Sequence, residues 1–328
     1  MQNKPYSGRR RLIHRALAAA LLCAATTHGI AWAGDAAHGK KWVIGSMIWN
    51  TSVPFYANFI KGQTDAAAKL KVELKMANGK GDLATEVAAI RQMIADHVDA
   101  ILVTASDAQG IVPAIKLANA AGIPVFAVNN RVGEGAQTIA FIGADDIDFG
   151  RQQAKLLLSS VGPKARVAYL MGAVGTSAQL LRLQGFNEVL KDHAGVQIVS
   201  SQSSGWDAAQ ALTVVQDWLN KYPKGSLDAI VGQGPEGANA ARYAASHGRT
   251  ELKFIVGDYP ADVRHAIQSG QVAGTVDQDP RPQGERSVTA AVQWLNGDKS
   301  HVHQPNEYLP LPIITRANAE TMPAAWGQ

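Results

Sequence analysis

Residues 41–56 read KWVIGSMIWNTSVPFY. Val43, Ile44, Met47 and Ile48 form an apolar run too short for a helix, and Pro54 then opens a helical pattern through Phe55, Phe59 and Ile60. A buried strand, a turn, and a helix with proline in its first turn are the opening of a βαβ unit. In an open parallel sheet, ligands lie beyond the carboxyl ends of the strands. Trp49, Asn50 and Phe55 therefore stand at a candidate binding crevice.

The alternation continues. Helical patterns cover residues 54–70, 83–97 and 108–121, with strands at 72–76, 99–104, 124–128 and 138–142. It then restarts: helices at 149–161, 176–193, 207–222, 236–247 and 261–269 interleave with strands at 166–171, 196–201, 227–231, 252–256 and 272–276. Strands alternating with helices of this length imply parallel sheets covered on both faces. Two successive sets predict an α/β protein of two similar, doubly wound parallel-sheet lobes. No low-complexity linker divides them, so the expected hinge is a set of short crossings near residues 143–145, 277–280 and 309–312. The amphipathic stretch 286–295 returns to the first lobe and 310–315 crosses back. The expected N-terminal lobe is then residues 40–144 with 280–308, and the C-terminal lobe 145–279 with 309–328. Several crossings restrict motion to a hinge.

The first 33 residues read as a separate segment. Lys4, Arg9, Arg10, Arg11 and Arg15 precede an apolar run over residues 16–25, and Ala31-Trp32-Ala33 matches a small-residue cleavage site. That reads as a secretory signal peptide cleaved after Ala33, with an apolar run too short to span a bilayer, so export is expected. The leader holds five of the 31 basic residues and none of the 27 acidic ones, so the remainder, 26 against 27, has a formal charge of −1. No basic stripe argues for nucleic acid. The one cysteine, Cys23, lies in the leader, which excludes disulfides and thiol chemistry from the exported chain. With 46% hydrophobic residues, the core itself must supply the stability.

Catalytic constellations are absent. There is no GxSxG elbow and no HExxH helix. Gly172-Ala-Val-Gly-Thr-Ser177 sits at a strand-to-helix turn but lacks phosphate-loop spacing. Neither a metal site nor a cofactor is expected. The pairs Asp145/Asp146 and Asp277/Asp279 leave a glycosidase reading open, although both fall where crossings are placed. Trp218 and Trp294, on apolar helix faces, are expected in the core.

Taken together, IWNTSVPFY, GIPVFAVNNR, GAVGTSAQLLRLQGF, SSQSSGWDAAQAL, VGQGPEGANAA, FIVGDY and GTVDQDPRPQG resemble the type I periplasmic sugar-binding proteins, the ribose-binding group, along the whole exported chain. The resemblance implies a sugar or polyol held between lobes by hinge closure, with no reaction, by an expected monomer that serves an ABC-type permease. The alternative is a sensor presenting its closed form to a histidine kinase or chemoreceptor. It also implies a ligand role for Phe55 and Tyr56 after Pro54, for Asn129 and Asn130 with Arg131 shifted by one, and for Arg182, Trp206, Gln233, Asp258 and Gln278. The sequence departs from the pattern in three places. Asn129-Asn130 replaces an acidic residue and an arginine, Gly234-Pro235 replaces an Asn-Asp, and Trp49 occupies a position that is often small and polar.

Overall fold

The computed structural model describes residues 41–327; the expected signal peptide lies outside them. The chain runs β1 (Val43–Ile48), α1 (Pro54–Leu70), β2 (Glu73–Asn78), α2 (Leu83–Ala95), β3 (Ala100–Val103), α3 (Val112–Ala120), β4 (Val125–Val128) and β5 (Phe141–Gly143). A second series follows: α4 (Asp146–Val161), β6 (Ala165–Met171), α5 (Ser177–Leu190), β7 (Val196–Ser203), α6 (Ala208–Lys221), β8 (Ala229–Gly232), α7 (Gly237–Ser246), β9 (Lys253–Gly257), α8 (Ala261–Gln268) and β10 (Gly274–Val276). It ends with α9 (Pro280–Leu295), β11 (Asn306–Tyr308) and β12 (Ile313–Thr315).

Two six-stranded sheets result, in the orders β11-β5-β4-β3-β1-β2 and β12-β10-β9-β8-β6-β7. The orders superimpose strand for strand, β1 on β6 and β4 on β9, so the lobes are two copies of one plan. Every pairing is parallel except β10 with β12. Central strands β3, β4 and β8 are buried at every position, which is why each reads as an unbroken apolar run. The chain passes between the sheets three times, from β5 to α4, from β10 to α9, and from β11 to β12. The crossings are tied together where Leu309 N donates to Gly143 O and Asp277 N to Pro312 O, each at 2.9 Å.

Each lobe has one close helix pair, and both pairs rest on glycine. A Cβ on Gly284 of α9 would lie 2.0 Å from the Phe59 carbonyl oxygen of α1, and one on Gly62 of α1 would lie 2.1 Å from Arg281 O. In the other lobe, Gly185 of α5 and Gly150 of α4 stand in the same relation to Ile147 O (1.9 Å) and Arg182 O (2.0 Å). Helix backbones in contact at these points leave no volume for a methyl group.

Some boundaries differ from expectation. Helix α9 starts six residues before 286, because Pro280 and Pro282 fall in its first turn, where no backbone donor is needed, and the Asp279 carboxylate accepts from Arg281 N at 3.0 Å. Strand β11 was not expected, and β12 runs antiparallel. Trp218 is core, whereas Trp294 is half-buried with Lys299 Nζ 4.4 Å from its ring centroid. Among the described residues no helix is long and apolar enough to cross a membrane, and no group of three or more His, Cys, Asp or Glu side chains is placed to hold a metal.

Candidate functional site

A cavity of about 610 Å³ opens between the two sheets, at the carboxyl ends of β1, β4, β8 and β9. From the first lobe it is lined by Trp49, Asn50, Phe55, Tyr56, Asn129 and Asn130. From the second come Arg182, Trp206, Glu236 and Asp258, and Gln278 enters from a crossing. Such a volume, with apolar walls and a few convergent polar groups, fits a small organic solute.

The aromatic wall is built in layers. Tyr56 meets Trp49, Phe55 and Phe59 edge to face, at centroid distances of 6.1, 5.4 and 5.7 Å. Phe55 in turn meets Trp326 at 5.7 Å and 85°. Trp326, two residues from the chain's end, is tied to the β9–α8 loop by Ala261 N donating to Trp326 O (2.9 Å) and Ala325 N to Tyr259 O (2.9 Å). The C-terminal segment thus bridges the two sides of the cleft. Trp206 has room for its ring only because Gly172 and Gly234 lack side chains: a Cβ on Gly172 would lie 1.9 Å from Trp206 Cζ2.

Backbone strain gathers here. Among the described residues six non-glycine positions have positive φ, and three of them, Asn129 (60°), Trp206 (64°) and Asp258 (60°), line the cavity. Asn129 and Asp258 follow the equivalent strands β4 and β9, so both lobes aim a polar side chain into the cleft by the same left-handed turn. Asn and Asp tolerate that conformation and Trp does not, which marks Trp206 as a position held by its surroundings.

Arg182, on α5, is 2% exposed. Its Nε donates to Asp146 Oδ1 at 2.8 Å, its Nη1 to Gln233 O at 2.7 Å, and its guanidinium lies 3.8 Å over Phe149 and 5.6 Å from Trp206. Burial pushes the Asp146 carboxyl upward, and the adjacent guanidinium opposes that shift. Asp145 caps α4, its carboxylate accepting from Asp148 N at 3.2 Å, and Arg151 pairs with Glu188 on the neighbouring helix.

Two expected site residues are elsewhere. The Arg131 side chain turns out of the cavity: its guanidinium sits 4.0 Å over Phe141 and donates to Asn306 Oδ1 (2.8 Å) and Tyr308 Oη (2.7 Å) of β11. Gln233 does not line the cavity either. Its Oε1 accepts from Gly172 N (2.9 Å) and its Nε2 donates to Tyr169 Oη (3.1 Å) and Gln179 O (2.8 Å), so it ties the end of β6 to the first turn of α5, the helix that carries Arg182. Asn129 lines the cavity with much of its amide committed, accepting from Tyr56 Oη (2.9 Å) and donating to Gln283 Oε1 (3.1 Å). Asn130 is freer, donating to Ala105 O at 3.0 Å. Gln278 accepts from Gln283 Nε2 at 3.1 Å.

Glu236, Asn239 and Trp326 line the cavity without having been expected there. Burial lifts Glu236 to about 7 and Asp258 to about 6. Asp277 and Asp279 are not in the cavity: Asp279 caps α9, and Asp277, buried in a crossing beside Asp258, is pushed up to about 8. The Gly172–Ser177 turn is engaged between lobes, with Arg131 N donating to Ser177 Oγ at 2.6 Å and Ala108 N to Gly175 O at 3.4 Å.

Residues 44–299 match the family model described as a periplasmic binding protein domain. The chain belongs to the periplasmic binding protein family. Among relatives of this binding protein, the ribose import binding protein RbsB of Bacillus subtilis (strain 168) is 27% identical over 281 residues, covering 85% of this chain and 90% of its own. A xylitol-binding protein of Mycolicibacterium smegmatis is 25% identical over 290 residues, covering 88% and 81%. Among solved structures, an ABC transporter solute-binding protein from Bacillus halodurans C-125 with bound myo-inositol aligns with a TM-score of 0.79 at 26% identity, over 86% of this chain and 96% of that one. The chain is thus a substrate-binding protein and not an enzyme.

Proposed function

We propose that this periplasmic binding protein captures a small polyhydroxylated ring solute, a sugar or cyclic polyol, and delivers it to an ABC-type permease. The observation that carries this reading is the composition of the cavity: aromatic faces from both lobes beside an immobilised arginine and several amide and carboxyl groups. Aromatic rings cover the apolar faces of such a solute while the planar guanidinium and the polar side chains pair with its hydroxyls. Trp49, Phe55 and Trp206 are assigned the stacking role, and Asn50, Asn130, Arg182, Asp258 and Gln278 the reading of hydroxyls. Tyr56 and Asn129 shape the floor.

Residues 40–144 with 280–308 and residues 145–279 with 309–328 are taken as the bodies that close on the solute, in a monomer. A ligand touching both bodies favours the closed arrangement by its differential contacts. The relatives named for ribose and xylitol and the structure holding myo-inositol support the solute class. The signal peptide, cleaved after Ala33, is assigned to export.

A thermal-shift screen of the exported protein against pentoses, hexoses, cyclitols and their amino derivatives tests this. A solute present at 100 times its Kd stabilises by about 2.7 kcal/mol, so at least one compound is expected to raise Tm by several degrees. A screen in which none does so overturns the proposal.

A further inference from the structure

The segment that follows β12 belongs to both lobes. Ala319 and Met322 pack into the apolar core of the second, with Tyr259, Val263 and Ile314. Trp326, a few residues on, packs into the core of the first, with Trp49, Phe55, Tyr56 and Phe59. The backbone of the segment is fastened to the second lobe. Tyr259 Oη donates to Ala319 O at 3.1 Å, with Met322 O at 3.4 Å, and Arg264 of α8 donates to Ala319 O (3.1 Å) and Glu320 O (3.2 Å). Trp326 itself forms a parallel bridge with Pro260 of the β9–α8 loop.

The Trp326 ring, by contrast, crosses the cleft. It meets Phe55 of α1 edge to face, extending the row Trp49, Tyr56, Phe55, and it lines the cavity. In this contact Trp326 is 6% and Phe55 8% exposed, so each ring is covered largely by the other lobe's arrangement. The three crossings precede this segment in the chain. Rotation about them therefore carries residues 319–327 with the second lobe and withdraws Trp326 from Phe55. Opening exposes apolar surface on both rings, and closing buries it again.

We propose that residues 319–327 are a strap and Trp326 a clamp: an arm of the second lobe whose ring seats on Phe55 only when the cleft is closed, so that part of the solute's affinity comes from a contact the solute does not make. This rests on the solute-capture reading above and deepens it. A contact formed only in the closed arrangement shifts the open–closed equilibrium toward closed, and the apparent affinity for a solute held by that arrangement rises with it. Because the open form that admits solute lacks the contact, the clamp slows dissociation and leaves association unchanged. Trp326 is thus a positioning residue for closure, acting through Phe55.

Titration calorimetry and stopped-flow fluorescence of a protein beginning at Gly34 test this. The probes are D-ribose, xylitol and myo-inositol, joined by any compound that raises Tm in the broader screen. For a probe that the wild type binds, Trp326→Ala is expected to weaken affinity by about tenfold or more through faster dissociation, and Trp326→Phe, which keeps a ring against Phe55, to recover most of the loss. Tyr259→Phe removes a hydroxyl that fastens the strap without lining the cavity, and is expected to weaken the same probe by about threefold. Should Trp326→Ala fail to fold, Tyr259→Phe decides. Unchanged affinity in Tyr259→Phe, or in a folded Trp326→Ala, overturns the clamp and leaves solute capture standing. A loss carried by slower association does the same, since it makes Trp326 a wall of the open site. A wild type that binds no probe overturns both.

Discussion

Arg182→Ala is expected to lower stability by about 3–5 kcal/mol and to abolish the solute-induced thermal shift. The stability loss comes from Asp146. With the guanidinium gone, its carboxyl is buried with no counter-charge, and its Oδ2 already lacks a partner. For a protein of this size that loss corresponds to about 10 °C in Tm. The Gln233 carbonyl loses its donor, and the cation against Phe149 and Trp206 leaves a gap behind the cavity wall. Adding Asp146→Asn to Arg182→Ala removes the stranded charge, so the pair is expected to recover much of the Tm and none of the binding. This separates the arginine's structural and recognition roles. A single variant that melts like the wild type would show that the buried pair is not as described.

Gly284→Ala and Gly185→Ala are each expected to destabilise by about 1–3 kcal/mol, the penalty that overpacking usually imposes. Helix propensity argues the opposite, since alanine is favoured over glycine by about 1 kcal/mol in a helix interior. Sterics win because the obstructing atoms are backbone carbonyl oxygens, 2.0 Å from a Cβ at Gly284 and 1.9 Å at Gly185, which cannot swing aside. The paired helices must separate, and α1 and α5 carry Phe55 and Arg182 into the cleft. Gly237→Ala, whose Cβ would meet a Val256 methyl at 3.0 Å, is the milder comparison. Urea titrations that place all three at or above wild-type stability would contradict the close packing of α1 on α9 and α4 on α5.

Much of the fold is legible because both lobes obey one rule: buried strands read as short apolar runs and covering helices as amphipathic ones. Helix 54–70 coincides with α1, whose proline start and apolar stripe leave little choice. The parts not legible are those where local pattern carries no such signal. Strand β11 is three residues, Asn-Glu-Tyr, at a sheet edge, with neither an apolar run nor alternation. Missing that strand also conceals the place of Arg131, because the partners that draw its side chain out of the cleft, Asn306 and Tyr308, belong to it. Gln233 lies one residue beyond β8, where the chain turns it inward to bind Gly172 N, a contact between neighbouring strand ends that spacing does not encode. Trp326 and Glu236 reach the cavity through long-range return of the chain and through a loop register, so neither is visible in a motif. Trp49, Phe55, Arg182 and Trp206 are legible because each stands at the end of a strand or on the helix that follows it.

The central claim is that solute is captured by closure of two lobes on the cavity. Residues 34–328 contain no cysteine, so in a protein beginning at Gly34 the substitutions Lys116→Cys on α3 and Asp217→Cys on α6, both exposed and on different lobes, offer two clean labelling sites. Pulsed spin-label distance measurement without and with saturating solute reads the motion directly. The expected result is a shorter and narrower inter-lobe distance when solute is bound. An unchanged distance distribution, with calorimetry showing the solute bound at one per chain, would contradict capture by hinge closure.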